Sequence, residues 1–594
     1  MKKSIKYNYT IILFVVGCLT SCNNLMELDL EPRDQYSDQA VWKDLSLMES
    51  YVNNIYYRLP HGHDGKISMA MLTDEAMRVA DRGASNVTRS LISPSNYEVF
   101  NSQRLQQKMT WEWNYISIRA CNVFFEQVEK NTYENEQLKN RLMGEVHFLR
   151  GYLYHILVNM YGGVPIITEA YGLDDDHLIP RNTYAESIDF ISEELDKAAS
   201  FLPLDHDSDN IGRATKGAAM ALKSRVLLYA ASDLYHDKSW ASGYSNPELI
   251  GYTDGDRQQY WVAAKNAAKD VIDLGIYELT NGNPSSGDDL IQNYLEVFLS
   301  KETSEDIFFR SFIAESQECS ECYSPNLHNN PGGYHGHGSN NPIGNLVDDF
   351  EMSNGEKFDW NNPVHAQNPY ENRDPRFYAN ILYDGAYWRP RPSDVVSLDP
   401  VGIISTGFYE QSDGNWLGGL DTRQSPVEGW NNTGTGYYIR KNIDPSVDGQ
   451  FEVQEIPWRY IRYAEVLLNY AEASAELGED TEALEYVNMI RKRAGLPNVN
   501  TSGPELLETI RHERRIELMF EDQRYFDIRR WMIAPQVMST NATGVNIQYH
   551  LGVDKPTYSV IEVQGREWSD QSYFMPIRLD EMNRNKNLIQ NPLY

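Results

Sequence analysis

Cysteine is scarce in this chain, which has five in 594 residues. They are Cys18, Cys22, Cys121, Cys319 and Cys322. They are too few and too scattered for a fold held together by a disulfide framework. The core must therefore be hydrophobic, and a chain of this length can bury a large one.

Positive charge is also in short supply, because 53 Lys and Arg stand against 85 Asp and Glu, for a formal net charge of −32. Such acidity argues against nucleic-acid binding and against a polyanionic ligand held by overall charge alone. A local basic site remains compatible with the composition, since the net charge does not set the local field.

Long apolar runs are absent apart from Ile11–Leu19, which is too short to span a bilayer as a permanent helix. Three lysines precede this run, and a Leu-Thr-Ser-Cys sequence of lipobox form ends at Cys22. We predict that residues 1–21 are a lipoprotein signal peptide and that Cys22 carries the lipid, where several acyl chains give stable anchoring. The alternative is an ordinary signal peptide cut elsewhere.

Catalytic signatures are missing as well: the chain has no Gly-x-Ser-x-Gly elbow, no His-Glu-x-x-His and no phosphate-binding P-loop. With 85 acidic residues, some carboxylate pair will lie at glycosidase separation by chance, so such a pair is no evidence of catalysis. We predict no enzyme activity and no cofactor, with a surface glycoside hydrolase as an alternative.

Helical periodicity dominates what is present. It covers residues 38–58, 111–130, 136–161, 183–201, 214–236, 259–274 and 459–531. The last stretch contains an antiparallel helix pair of tetratricopeptide type, without the full consensus of that repeat. Its many Arg, Glu and Asp residues predict a structural ion network on partly buried helices.

Residues 276–458 differ in character, since Gly, Pro, Asn and Asp are frequent and helical periodicity is lost. We expect long structured loops there, with short strands at Tyr378–Leu382 and Tyr437–Arg440. Loops of this length usually carry function. The predicted architecture is one mainly α domain over 22–594: helix pairs at 38–275 and 459–531, the insertion 276–458, and a C-terminal tail, 532–594.

Five segments in this order resemble the SusD-like (RagB/SusD) outer-membrane lipoproteins of Bacteroidetes. They are 145–167 with its Tyr-Gly-Gly-Val-Pro turn, 213–231 with its Lys-Gly-Ala helix, 345–388 around Asp-Pro-Arg, 459–531, and 574–594 with its Asn-Pro ending. The resemblance implies a cell-surface protein of the outer membrane that captures oligo- or polysaccharide for a SusC-like TonB-dependent transporter. A peptide-binding RagB-type member is the alternative within the family.

The same resemblance selects Asp74, Arg78 and Arg82 as polar ligand contacts. The alternative is a surface ion pair between Asp74 and Arg78, four residues apart. Aromatic rings stack on the C–H faces of sugars, and the candidates outside strong helices are Tyr97, Tyr323, Tyr334, Trp360, Tyr370, Trp388, Trp416 and Trp430. The alternative for each ring is that it packs a loop onto the helices.

One local oddity is Cys319-Ser-Glu-Cys322, followed by His328, His335 and His337. Two cysteines and two histidines can form a tetrahedral zinc site. The His-x-His spacing is not that of a zinc finger, so we expect a disulfide or two free thiols and no metal.

Overall fold

The computed structural model describes residues 41–63, 67–97, 100, 103–172, 174–313 and 325–594. The predicted lipid site Cys22 lies outside these ranges, as do Tyr323 and the pair Cys319 and Cys322. No helix within the described ranges is long and apolar enough to cross a membrane.

The described chain is mainly α-helical, as predicted. Nineteen helices, numbered in chain order, are α1 Leu45–Tyr57, α2 Ala84–Thr88, α3 Gln103–Met109, α4 Trp111–Glu129, α5 Glu136–Tyr161, α6 Tyr184–Phe201, α7 Lys216–Ala231, α8 Arg257–Ile272, α9 Leu290–Leu299, α10 Pro325–Asn329, α11 Gly344–Asp349, α12 Pro363–Gln367, α13 Pro375–Asn380, α14 Tyr463–Glu476, α15 Asp480–Arg493, α16 Gly503–Glu517, α17 Arg524–Arg530, α18 Ala534–Met538 and α19 Leu579–Arg584.

The long helices form a continuous stack of neighbours. Each of α4 to α7 packs on the next helix in sequence, α8 packs on α14, and α14 packs on both α15 and α16. Local signals set the ends: Thr183 and Glu186 form a capping box at the start of α6, and Asn135 caps α5. The predicted scaffold of helix pairs is confirmed. It includes helices from both sides of the insertion, because α8, which precedes the insertion, packs on α14, which follows it.

Short strands connect distant parts of the chain. They are β1 Ala76–Met77, β2 Asp306–Arg310, β3 Asn341–Pro342, β4 Ile381–Leu382, β5 Phe408–Glu410, β6 Trp416–Gly418, β7 Tyr438–Ile439, β8 Trp458–Arg462, β9 Ala542–Tyr549 and β10 Thr557–Gln564. The pairs β1–β3, β2–β8 and β4–β7 are antiparallel, and one four-stranded sheet has the order β10-β9-β5-β6 with β5 parallel to β9. The insertion is therefore joined to the N-terminal segment, to the scaffold and to the tail.

Three local predictions differ from the structure. Residues 458–462 form a strand rather than the start of a helix, and every one of them is buried, which removes the alternation that marks a half-exposed strand. Only the end of Tyr378–Leu382 is a strand, because Asp374 caps and Pro375 begins a short helix through Asn380. The tail contains the hairpin of β9 and β10, which was not predicted.

Buried charges tie these elements together around Glu517 at the end of α16. Its carboxylate accepts hydrogen bonds from Arg462 of β8 at 2.7 Å, from Arg376 of α13 at 3.1 Å, and from Arg493 of α15. Burial opposes the ionised form, but these guanidinium groups hold the pKa of Glu517 well below its usual range. The predicted structural ion network is confirmed, and it reaches into the insertion.

We expect Glu517→Gln to lower the free energy of unfolding by about 3–5 kcal/mol, since it leaves buried guanidinium groups without their counter-charge. The contribution of Glu517 is present above the unfolded pKa of about 4.3 and is lost as the pH falls toward the depressed folded value. The difference in the free energy of unfolding between wild type and Glu517→Gln should therefore become smaller at acidic pH. Urea denaturation at several pH values measures it.

Glu485→Gln is the matched control, because Glu485 is exposed on α15 and makes no ion pair with the described residues. Its effect should stay within about 0.5 kcal/mol. Equal effects of the two variants would show that the Glu517 network does not stabilise the fold.

Candidate functional site

Asp74 is buried and is not available to a ligand. Its two carboxylate oxygens accept hydrogen bonds from Arg524 at 2.9 and 2.8 Å, and one of them also accepts a hydrogen bond from Arg515. Burial favours the neutral acid, yet the charges of Arg515 and Arg524 outweigh it and hold the pKa of Asp74 well below its usual range. Asp74 therefore neither contacts a ligand nor forms a surface ion pair with Arg78. Its ion pairs with Arg515 and Arg524 link the N-terminal segment to α16 and α17.

The neighbouring Glu75 is also buried, and burial raises its pKa to about 8, with the Asp74 carboxylate adding to the effect. Its carboxyl group accepts a long hydrogen bond of 3.4 Å from the backbone N–H of Phe520. The acidic pair Asp74 and Glu75, which precedes β1, therefore lies inside the protein.

Arg78 and Arg82 lie beyond β1, on a turn near the surface. The Arg78 side chain is largely buried, and its pKa is lowered to about 10 by burial and by the charge of Arg82. Arg82 is exposed and has φ +50°. Asp81 holds this turn, because its carboxylate accepts from Gly83 N at 3.1 Å, from Ser85 N at 2.8 Å and from Ser85 Oγ at 2.7 Å. The turn presents the Arg82 guanidinium to solvent.

A second surface segment, residues 423–434, lies against this turn. A Cβ on Gly434 would lie only 2.9 Å from Cγ2 of Val79, so the Val79 side chain packs against the backbone at Gly434. The Gly434 N–H also donates to Asn341 Oδ1 of β3 at 3.3 Å. We call the pair formed by residues 78–82 and 423–434 the arginine–tryptophan surface.

Trp430 is the aromatic residue of this surface, and 76% of it is exposed. The loop that carries it is fixed at its base, where Asn432 Oδ1 accepts from Gly332 N at 2.8 Å and from the Tyr438 hydroxyl at 2.6 Å. Asn431 donates to the Glu428 carboxylate at 2.8 Å. An exposed indole on a well-supported loop is a flat surface on which another ring can stack.

Two further predicted aromatics are buried within the insertion. Tyr334 is 1% exposed, its hydroxyl donates to the Arg389 carbonyl at 2.9 Å, and the Arg391 guanidinium lies 4.2 Å from the ring centroid. Trp388 is 4% exposed, and its indole N–H donates to Asn330 Oδ1 at 3.1 Å. Both rings pack the insertion, as the alternative interpretation had it.

The remaining aromatic candidates are partly or fully covered. The Tyr97 hydroxyl donates to the carbonyl of Pro576 in the tail. The half-buried Trp360 donates its indole N–H to both oxygens of Asp348 at 3.0 Å. Tyr370 is buried, and Trp416 is half-buried in β6. Of the described candidates, Arg82 and Trp430 are therefore the exposed ones, and they lie on two segments that touch at Val79 and Gly434.

Arg423 belongs to the same surface, although its sequence context gave no reason to select it. Arg423 is exposed. Its carbonyl oxygen would lie 3.1 Å from a Cβ on Gly429, so the backbone at Arg423 lies close to the residue that precedes Trp430. The proximity arises only in the folded loop, which no local sequence pattern encodes.

The histidines of the Cys/His segment do not converge on one point. His335 lies 3.0 Å from the Asp394 carboxylate, whereas His328 and His337 face each other with 3.1 Å between their Nδ1 atoms. No group of three or more His, Cys, Asp or Glu in the described ranges is arranged to hold a metal ion.

Concave surfaces elsewhere contain none of the residues selected from the sequence. A groove of about 440 Å³ lies between α4 and α19, with apolar walls that include Ile116 and Leu588. A more open groove of about 600 Å³ lies beside Phe451, which is 82% exposed. No residue of the arginine–tryptophan surface lines either groove.

Comparison with known proteins matches this chain to one family. A family model described as the SusD family matches residues 304–594, and one described as starch-binding associating with outer membrane matches residues 28–228. SusD-like protein P38 of Formosa agariphila is 23% identical over 572 residues, which cover 91% of this chain and 94% of that protein.

Solved structures match over nearly the whole length. A SusD-like protein of Bacteroides fragilis is 30% identical with a TM-score of 0.73, and the match covers 94% of this chain and 99% of that one. A SusD-like carbohydrate-binding protein of the same species is 23% identical with a TM-score of 0.71, covering 92% and 100% of the two chains.

The different burial of Trp388 and Trp430 predicts a large effect on stability when the first ring is removed and a small effect when the second is removed. Trp388→Ala should lower the free energy of unfolding by about 3–5 kcal/mol, because it empties a packed site and removes a hydrogen bond. Trp430→Ala should change it by no more than about 0.5 kcal/mol, because the ring is exposed. Urea denaturation of both variants tests this, and a large loss for Trp430→Ala would mean that this ring is part of the packed interior.

Proposed function

The chain belongs to the SusD family, and on that premise we propose that it binds oligo- or polysaccharide at the cell surface without cleaving it. The observation that supports this proposal best is the exposed Trp430 on a fixed loop beside the Arg78–Arg82 turn. A sugar ring can stack on an exposed indole, and guanidinium groups can donate hydrogen bonds to sugar hydroxyl groups.

The geometry suits capture of a long chain. Residues on an open face can contact several successive sugar units, and a fixed loop loses little conformational freedom when a ligand binds. Each stacking contact is weak alone, so affinity should grow with the number of units bound.

We propose further that Cys22 anchors the protein to the outer membrane and that a SusC-like TonB-dependent transporter is its partner. The outer-membrane association in the description of the matching family model supports the anchoring. In this account the protein captures the glycan and delivers it to the transporter for import. It needs no cofactor, and peptide capture is the rival role within the family.

We expect Trp430→Ala to lose most of the measurable affinity for the polysaccharide that wild type binds, as hot-spot residues do, with the thermal melting temperature unchanged. Retardation in polysaccharide-containing native gels and calorimetry with oligosaccharides of increasing length measure the binding. A reducing-sugar assay should detect no release by wild type.

Phe451→Ala is the matched control, since Phe451 is an exposed aromatic remote from the Arg78–Arg82 turn in sequence and lines another groove. It should bind like wild type. If wild type retains no glycan in a broad panel but binds peptides, the glycan role is wrong and the family assignment still holds.

Cys22→Ala should leave the protein unlipidated and absent from the outer-membrane fraction, because the acyl chains supply the attachment. Cell fractionation with metabolic labelling by a fatty acid measures both effects. Labelled protein in the outer-membrane fraction of the variant would refute Cys22 as the lipid site.

A further inference from the structure

We infer that the groove between α4 and α19 is where the membrane-embedded partner docks, and that the groove takes a large apolar side chain carried between basic residues. The inference rests on the proposed function, because it names the surface and the chemistry through which the proposed transporter is bound. It is carried by the walls of the groove, by the charge around it and by its position relative to the lipid anchor.

The groove is preformed, because hydrogen bonds hold the segment 165–179 against the helices on either side. The Tyr115 hydroxyl of α4 donates to the Pro165 carbonyl at 2.7 Å. At the end of α19, Asn585 donates to the Ile179 carbonyl at 2.7 Å. The space of about 440 Å³ therefore lies between fixed walls, and a partner that fills it does not have to reorganise them.

The walls are rich in aliphatic side chains, some of them exposed. Ile116, 47% of which is exposed, lines the groove. Three more exposed aliphatic residues lie within two positions of a lining residue, namely Leu178, Leu579 and Ile589. Exposed apolar side chains gathered at a concave surface mark a protein interface. A sugar would stack on the aromatic rings of the lining and leave these aliphatic side chains uncovered, so they favour a protein partner.

The charge around the groove is mainly negative. Its lining residues with formal charge are Glu112, Glu169, Glu581, Arg119 and Arg584. Arg584 is already paired with Glu581 at 2.9 Å. Three exposed aspartates in a row, residues 174–176, extend the negative charge into the adjoining loop. Basic residues beside the apolar side chain would complement these carboxylates, whereas a second copy of this chain, with its own net charge of −32, would not.

The groove lies on the side of the molecule where the described chain begins. Helix α1 packs on α4, and the Tyr51 hydroxyl of α1 donates to the Ala120 carbonyl at 3.0 Å, one residue from Arg119 in the groove. Eighteen residues separate Cys22 from Val41, the first described residue. A lipid anchor at Cys22 therefore favours an orientation with α4 toward the membrane, where an embedded partner would meet the groove.

A stable protein interface buries about 1,200–2,000 Å² in total, so the groove is the centre of the contact and not the whole of it. Central pockets that take an apolar anchor contribute most of the binding energy of such interfaces. One substitution in the groove is therefore expected to have a large effect on docking.

The first experiment measures co-purification of the transporter. The full-length, lipidated and affinity-tagged protein is isolated from detergent-solubilised outer membranes, and the TonB-dependent transporter recovered with it is quantified by mass spectrometry. Ile116→Asp places a carboxylate in the apolar groove, and we expect it to lower the recovered transporter at least about tenfold, as the loss of a hot spot does. Glu169→Lys should lower it severalfold, because the new charge repels the basic residues of the partner.

Val262→Asp is the matched control for Ile116→Asp. Val262 is also β-branched and helical, lies in α8 and is 44% exposed, but it does not line the groove. Glu485→Lys, at an exposed position of α15, is the control for Glu169→Lys. Both controls should recover the transporter as wild type does. Thermal melts establish that all four variants are folded.

The second experiment identifies the occupant of the groove. On irradiation, Ile116→p-benzoylphenylalanine should crosslink to an extracellular segment of the transporter. Sequencing of the crosslinked peptide should find a large apolar residue next to Lys or Arg. Val262→p-benzoylphenylalanine should give no crosslink to the transporter.

Equal recovery of the transporter by wild type and Ile116→Asp would overturn the inference and leave the proposed partner intact. A crosslink from position 116 to a second copy of this chain would also overturn it, as would loss of oligosaccharide binding in Ile116→Asp, since the groove would then hold another ligand. If wild type recovers no transporter, the proposed partnership fails together with the inference, while the proposed glycan binding does not depend on this result.

Discussion

The buried carboxylate of Glu517 is the contact on which much of this structure depends. It is shared by arginines from an insertion helix, from the strand that ends the insertion and from a scaffold helix. Removing charges from water is costly, and only partners with good geometry offset the cost. The scaffold, the insertion and the strand between them must therefore be in place together, which makes the irregular insertion part of one cooperative core.

The same kind of contact positions the candidate site. Asp74 is held by Arg515 and Arg524 from the C-terminal helices, and the chain then enters β1, which pairs with β3 of the insertion. The turn that follows carries Arg78 and Arg82, and Asp81 fixes its conformation. Residues 74–82, whose sequence predicted a set of ligand contacts, therefore contain the buried ion-paired Asp74 at one end and the exposed Arg82 at the other.

Much of the fold could be predicted from the sequence, because long helices repeat their apolar residues every three or four positions. The strand Trp458–Arg462 could not, since it is buried on both faces and lacks alternation. The hairpin of β9 and β10 does have a local signal, since β10 reads Thr-Tyr-Ser-Val-Ile-Glu-Val-Gln and is rich in the β-branched residues that favour strands. Whether a loop aromatic is core or surface was not predictable: Trp388 and Trp430 lie in similar sequence contexts, and only tertiary packing buries the first and exposes the second.

Hydrogen–deuterium exchange of the mature chain, with and without a saturating oligosaccharide, tests the central claim most directly. Backbone amides that a bound ligand covers exchange more slowly, so exchange maps the surface in contact. The account predicts slower exchange at residues 78–85 and 423–434 and unchanged exchange in α14 to α16. Protection confined to another surface, such as the groove between α4 and α19, would contradict it.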